Sequence, residues 1–97
     1  MPMLTKTHQC PICGYDALNE PPYDKYGYGS YEICLSCGTE FGVDEFDSFD
    51  DYETTVKKLR QTWIDEGMKW WSDLTPPPDG WNPKKQLKNL TGFKIPN

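Results

Sequence analysis

The chain has 97 residues, of which 36% are hydrophobic and 26% are charged, and its formal net charge is −5. A chain of this length is expected to form one domain with a modest core, which an internal staple would help to stabilise. No apolar run approaches the roughly 20 residues that cross a bilayer, and residues 1–9 lack the apolar stretch of a signal peptide. We therefore expect a cytoplasmic protein without a membrane-spanning segment.

The charge is distributed unevenly along the chain. Residues 1–53 contain two lysines and eleven acidic residues, a net charge of −9, whereas residues 54–97 carry a net charge of +4. The acidic half would repel phosphate groups, and the lysines of the basic half are spaced like the solvated face of a helix. This distribution argues against nucleic acid as a partner and leaves nucleic-acid binding as an alternative function only.

The four cysteines of the chain form two pairs, Cys10 with Cys13 and Cys34 with Cys37, in the pattern C-x2-C-x20-C-x2-C. This spacing is typical of a four-cysteine zinc site, because two intervening residues let one tight turn direct both sulfurs at one point. Disulfides are disfavoured in the reducing cytosol, and a redox thiol pair would need a βαβ setting. We predict one Zn²⁺ per chain, with iron as the alternative metal.

Residues 8–43 are predicted to form a ribbon around this metal. Residues 15–20 and 30–33 are the candidate arms of an antiparallel hairpin, and residues 39–43 are a candidate third strand. Residues 21–29, PPYDKYGYG, connect the arms and consist mainly of turn-forming residues and tyrosines.

An amphipathic helix is predicted over residues 50–72. The apolar residues that recur there at helical spacing and form one stripe are Val56, Leu59, Trp63 and Trp70. Gly67 falls in the same stripe, where it either lets another backbone approach closely or ends a first helix.

A proline-rich connector, residues 75–81, and a short helix, residues 82–92, are predicted to follow. Asn82 is a suitable N-cap residue, Pro83 suits the first helical position, and Gly92 can close the helix.

The two cysteine segments, CPICGY at 10–15 and CLSCGTEFG at 34–42, resemble the metal-binding knuckles of rubredoxins. Rubredoxins carry electrons on an iron ion, so the resemblance implies a similar ribbon and makes an iron electron carrier an alternative function. Ala17 and Glu32 occupy positions where the rubredoxin pattern has aromatic residues.

Residues 8–45 also resemble the bacterial CPCC-type cysteine-rich family. The resemblance is carried by CPICGY, by residues 18–20, by SYEIC at 30–34 and by the second knuckle with Phe41, while Ile12 replaces the third-position cysteine of CPCC. It implies a small zinc-binding protein of bacteria or their phages. The fold class that we predict is small α+β, a rubredoxin-like zinc ribbon of short antiparallel hairpins followed by one long and one short helix.

The sequence contains no recognisable catalytic set. It has one histidine, no G-x-S-x-G motif and no phosphate-binding glycine loop, and its cysteines are assigned to the metal. We therefore predict a non-catalytic protein that acts as a protein–protein interaction module. An inhibitor or immunity-type protein directed against a basic nuclease or toxin is the narrower hypothesis.

The acidic, tyrosine-rich part of the first half is the candidate surface for a protein partner. Tyrosine offers rigid amphipathic contact area, and negative charge accelerates encounters with a basic partner. The alternative is that the rings fold back over a small core. The candidate partner-binding residues are Tyr23, Tyr26, Tyr28, Asp44 and Asp47.

Overall fold

Three helical segments follow one another in the protein, for which a computed structural model describes residues 8–46 and 50–90. They are a 3₁₀ turn at Asp44–Phe46, helix α1 at Tyr52–Asp65 and helix α2 at Pro83–Leu87. Within the described residues, strand structure is limited to isolated antiparallel bridges: His8 with Leu18, Tyr23 with Gly29 and Ile33 with Glu40. In the same part of the chain, no helix has the length and apolar character needed to cross a membrane.

The two predicted hairpin arms are joined by a side chain instead of a backbone ladder. The Glu32 carboxylate accepts the backbone N–H groups of Asn19 and Glu20 at 3.0 and 3.1 Å. Those N–H groups are the donors that a strand pairing would need, and the two following residues, Pro21 and Pro22, have no N–H to donate. The described ribbon therefore consists of turns and single bridges, and it does not show the rubredoxin-like set of hairpins that the sequence predicts.

Helix α1 begins close to the predicted position and ends earlier than predicted. Asp51 is its N-cap residue and accepts a backbone N–H of the first turn. The helix ends at Asp65, because Gly67 has a φ of +98° and donates its N–H to the carbonyl of Ile64. The predicted extent, residues 50–72, is therefore too long, and Gly67 ends the helix.

Helix α2 has the predicted start. The Asn82 side chain accepts the N–H groups of Lys84 and Lys85 at 3.0 and 3.1 Å, and Pro83 occupies the first turn. The helix ends at Leu87 instead of continuing to residue 92, and Gly92 lies outside the described residues. Residues 75–81 form the predicted connector without helix or strand.

One buried cluster contains residues from both halves of the chain. Helix α1 contributes Val56 and Trp63 from its predicted stripe, and Leu59 packs against the cluster from outside. The other buried hydrophobic members, apart from the cysteines, are Ile12, Tyr15, Leu18, Phe41, Leu87 and Leu90. Because Cys10, Cys13 and Cys34 belong to this cluster, the cysteine site is part of the protein core.

Candidate metal centre

The four cysteine sulfurs lie together, all within 4.8 Å of one another; we call this group the cysteine cluster. The Sγ atoms of Cys10 and Cys37 are 3.8 Å apart, and those of Cys13 and Cys34 are 3.7 Å apart. Zn–S bonds are about 2.3 Å long, so sulfurs at the corners of a tetrahedral site lie about 3.8 Å apart. A disulfide bond is much shorter, about 2.05 Å, and all four cysteines are free. The cluster therefore fits one tetrahedral metal ion.

Both cysteine pairs are placed by the same local turn. In each knuckle the carbonyl of the first cysteine accepts the N–H of the residue four positions later, and its own N–H donates to the carbonyl five positions later. These distances are 3.0 and 2.7 Å at Cys10 and 2.8 and 2.9 Å at Cys34. The Cys10 sulfur also accepts the N–H of Ile12 at 3.4 Å, a contact that stabilises negative charge on sulfur.

The four sulfurs differ in their surroundings. Cys10, Cys13 and Cys34 are fully buried, whereas Cys37 is partly exposed and its sulfur lies 3.2 Å from the hydroxyl of Thr39. Burial raises the pKa of the Cys10 and Cys13 thiols well above the ordinary value. Hydrogen bonds with Cys10 and the other two cysteines lower the pKa of the Cys37 thiol. Zinc is bound by thiolates, so an ion at this site would hold the cysteines in their deprotonated form.

Arg60 connects helix α1 to the first knuckle through two hydrogen bonds. Its Nε donates to the carbonyl of Ile12 and its Nη2 to the carbonyl of Pro11, both at 2.8 Å. The positive guanidinium would be attracted to a metal-loaded site, because four thiolates around one divalent cation leave a net charge of about −2. Arg60 therefore docks the helix on the first knuckle, where its charge would partly offset that of a metal-bound cluster.

The segment after α1 pairs with the second knuckle. The N–H groups of Trp71 and Ser72 donate to the carbonyls of Ser36 and Leu35 at 3.1 and 3.0 Å. The Trp71 indole lies so close to Gly38 that a Cβ there would come within 3.0 Å of it. The chain reaches this position after two left-handed residues, Gly67 with a φ of +98° and Met68 with a φ of +54°, which turn it away from the axis of α1.

Gln86 connects α2 to both knuckles from a buried position. Its Nε2 donates to the carbonyl of Cys13 at 3.2 Å and to the hydroxyl of Ser36 at 2.9 Å, while its Oε1 accepts from the indole N–H of Trp81 at 2.7 Å. All its polar atoms are thereby satisfied, which is the condition for burying an amide without a large penalty.

Sequence reasoning missed the roles of Arg60 and Gln86. For Arg60 a signal existed, because it lies four residues after Val56 and three before Trp63 and so falls at the edge of the apolar stripe. For Gln86 we find no comparable signal, since its partners are distant in the sequence.

The predicted partner-binding tyrosines divide into two groups. Tyr26 and Tyr28 are 73% and 70% exposed. Tyr23 is half-buried, its hydroxyl donates to the carboxylate of the buried Glu45, and its ring makes an edge contact with Tyr52, 5.6 Å between centroids. Desolvation, followed by the hydrogen bond with Glu45, raises the pKa of Tyr23 far above the ordinary value. Tyr23 thus anchors the loop, and Tyr26 and Tyr28 face outward.

Of the two predicted partner-binding aspartates, Asp44 and Asp47, only Asp44 lies among the described residues. The Asp44 carboxylate accepts the N–H of Glu40 at 2.8 Å, so it stabilises the local turn. Asp44 also lines a cleft of about 130 Å³ beside Cys37, together with Thr62 and Glu66 of the α1 end. Asp47 lies outside the described residues.

The chain is similar to two proteins of Bacillus subtilis strain 168. It is 34% identical to the uncharacterized protein YoaQ over 76 residues and 31% identical to the uncharacterized protein YozI over 77 residues. Each match covers 68% of this chain and 64% of the relative, so the chain spans less than two thirds of the length of either one. No family model matches the chain, and no solved structure matches it.

Proposed function

We propose that this chain is a non-catalytic zinc-binding protein in which one Zn²⁺ holds the two knuckles together and thereby supports a protein-binding surface. The observation that carries the proposal is the closed cysteine cluster, with all four sulfurs within 4.8 Å of one another. Four sulfur ligands fill the tetrahedral shell of zinc and leave no position for a substrate or an activated water. The metal would therefore contribute folding free energy rather than chemistry.

The identity of the metal has a direct test. We expect the purified chain to contain one zinc ion per molecule and no visible colour, and Co²⁺ substitution should give the absorption of a tetrahedral thiolate site. A Cys13→Ser variant should lose the metal. A red protein with one iron ion per chain after aerobic expression would instead support the alternative electron carrier.

Exposed aromatic rings support the interaction role. Tyr26, Tyr28 and Tyr31 expose 73, 70 and 63% of their surface within six consecutive residues. Such rings give large contact area at low conformational-entropy cost, and tyrosine is enriched among the residues that dominate binding free energy. Because the surrounding half of the chain is acidic, the partner would be a basic protein, and inhibition of a basic nuclease or toxin is the narrower form of the proposal.

A photo-crosslinking experiment tests this surface. A benzoyl-phenylalanine residue would replace Tyr28 in the chain expressed in Bacillus subtilis, and the same residue at the exposed Lys57 of α1 would be the control. We expect one discrete cross-linked product from position 28, containing a protein of basic isoelectric point. Products of equal yield from both positions, or an acidic protein at position 28, would contradict the proposal.

A further inference from the structure

An open groove lies at the base of the tyrosine loop, which we define as residues 21–29. Its volume is about 230 Å³. Tyr23 and Tyr28 are the aromatic residues of the lining, and Pro21 is an apolar one. Glu20 and Asp24 are the charged residues of the lining, which contains no basic residue.

The loop that forms the groove is held in one conformation by its own hydrogen bonds. Asp24 Oδ1 accepts the backbone N–H groups of Tyr26 and Tyr28 at 2.8 and 3.0 Å, and the N–H of Asp24 donates to the carbonyl of Tyr28 at 2.9 Å. The hydroxyl of Tyr23 also donates a hydrogen bond to the carboxylate of Glu45. A site that is already formed costs less conformational entropy when it binds a ligand.

The position of Gly29 shows how tightly this loop is seated. A Cβ at position 29 would come within 3.0 Å of the carbonyl oxygen of Phe41 and of the backbone of Gly42. The wall of the groove therefore rests directly on the backbone of Phe41 and Gly42, at the end of the second knuckle.

The chemistry of the lining selects a cation. A carboxylate has about four lone-pair sites, so Asp24 can accept further hydrogen bonds besides its two backbone N–H groups. Glu20 forms no hydrogen bond or ion pair with its carboxylate among residues 8–46 and 50–90. Tyrosine rings attract cations, and the loop already contains one such contact, with the Lys25 Nζ 5.2 Å from the ring centroid of Tyr26.

We propose that this groove receives a single arginine side chain of a basic protein partner. The planar guanidinium can stack against a tyrosine face while its fork of N–H donors reaches two carboxylates, an arrangement that the compact lysine ammonium cannot reproduce. The volume is below the roughly 300 Å³ at which small-molecule sites begin, so it suits one side chain. This inference rests on the proposed interaction function and gives the partner's chemistry.

The test uses the zinc-loaded chain and three tripeptides, acetyl-Gly-Arg-Gly-amide, its citrulline counterpart and its lysine counterpart. Citrulline has the shape of arginine without its charge. We expect the arginine peptide to shift the amide resonances of Asp24, Tyr28 and Gly29 with millimolar affinity. The lysine and citrulline peptides should bind at least about five-fold more weakly.

Substitutions in the lining test whether the arginine peptide binds in this groove. Glu20→Gln and Tyr28→Ala should each weaken arginine binding about three- to five-fold, because each removes one exposed charge pair or one cation–ring contact. Glu53→Gln is the matched control for Glu20→Gln, since Glu53 is an exposed carboxylate on α1 and does not line the groove. It should bind as the wild type does.

Two outcomes would overturn the inference: absence of saturable shifts at these amides, or equal affinity for arginine and lysine peptides. The result for the arginine groove can be separated from the result for the proposed function. If a basic protein cross-links at position 28 but the arginine peptide does not bind, only the arginine groove is rejected. A peptide that binds in the groove of a chain that yields no cross-linked partner would reject the interaction role and keep the arginine site.

Discussion

Gly14 lies directly against Gln86: a Cβ atom at position 14 would come within 3.0 Å of the carbonyl oxygen of Gln86. The first knuckle and α2 are thus in backbone contact, although 71 residues separate the two positions in the chain. Gly14 also has a φ of +85°, which L-residues with a side chain rarely adopt. Two independent requirements, backbone conformation and close approach, therefore specify glycine at this position.

Gly14→Ala is expected to lower the free energy of unfolding by about 2–4 kcal/mol, since it adds left-handed strain and displaces α2. Gly27→Ala is the matched control. Gly27 has a φ of +86° with open space around its Cβ position, so it should cost only the strain, about 1–2 kcal/mol. Urea unfolding of the two zinc-loaded variants measures both values. Equal costs would show that the contact with Gln86 adds nothing.

Metal removal is expected to unfold both halves of the chain together. The carbonyls that accept hydrogen bonds from Arg60 belong to the turn between Cys10 and Cys13. When that turn opens, α1 loses its docking site. An isolated helix of 14 residues is at best marginally stable in water. Circular dichroism at 222 nm during chelation should therefore show loss of most helical signal, with recovery after zinc is returned. Retention of the helical signal in the chelated protein would show that α1 is independent of the metal.

Structural features whose determinants lie close together in the chain follow the sequence prediction, whereas features that depend on distant residues do not. The turn at each cysteine pair and the start of α2 were predicted, because in each case the signal lies within four residues of the chain. The predicted hairpins are not seen among the described residues, because the Glu32 carboxylate takes N–H groups twelve and thirteen residues away. The end of α1 was placed too late, since apolar spacing continues through Trp70 even though the backbone turns at Gly67.

Trp63→Ala is expected to destabilise the protein by about 3–5 kcal/mol, because it removes a large side chain from the core. Trp63 is 6% exposed, and its indole N–H donates to the carbonyl of Lys69 at 3.0 Å, where it fixes the chain reversal after α1. Leu74→Ala is the control, because Leu74 is 96% exposed and should change stability by less than about 0.5 kcal/mol. Thermal or urea unfolding compares the two. A cost below about 1 kcal/mol at Trp63 would contradict its assignment to the core.

Tyr31 combines an exposed ring with a strained backbone. It is 63% exposed and has a φ of +64°, a left-handed conformation that costs a residue with a side chain roughly 1–2 kcal/mol. No hydrogen bond of its side chain is formed within the described ranges, although its ring lies near Gly42. Residues held in strained backbone conformations cluster at active sites, ligand clamps and switch regions.

Tyr31→Gly is therefore expected to raise the free energy of unfolding by about 0.5–1 kcal/mol, because relief of the strain exceeds the entropy that glycine adds to the unfolded chain. Tyr26→Gly, at an exposed tyrosine without positive φ, should lower it by about 0.5–1 kcal/mol. If the exposed tyrosines Tyr26, Tyr28 and Tyr31 bind a partner, the Tyr31→Gly variant should give less cross-linked product from position 28 even though it is more stable. Binding function would then be lost while stability is gained. Urea unfolding and cross-linking yield, measured on the same preparations, separate the two effects. A destabilised Tyr31→Gly variant would mean that the ring is held for packing against Gly42 and that the backbone conformation serves the fold.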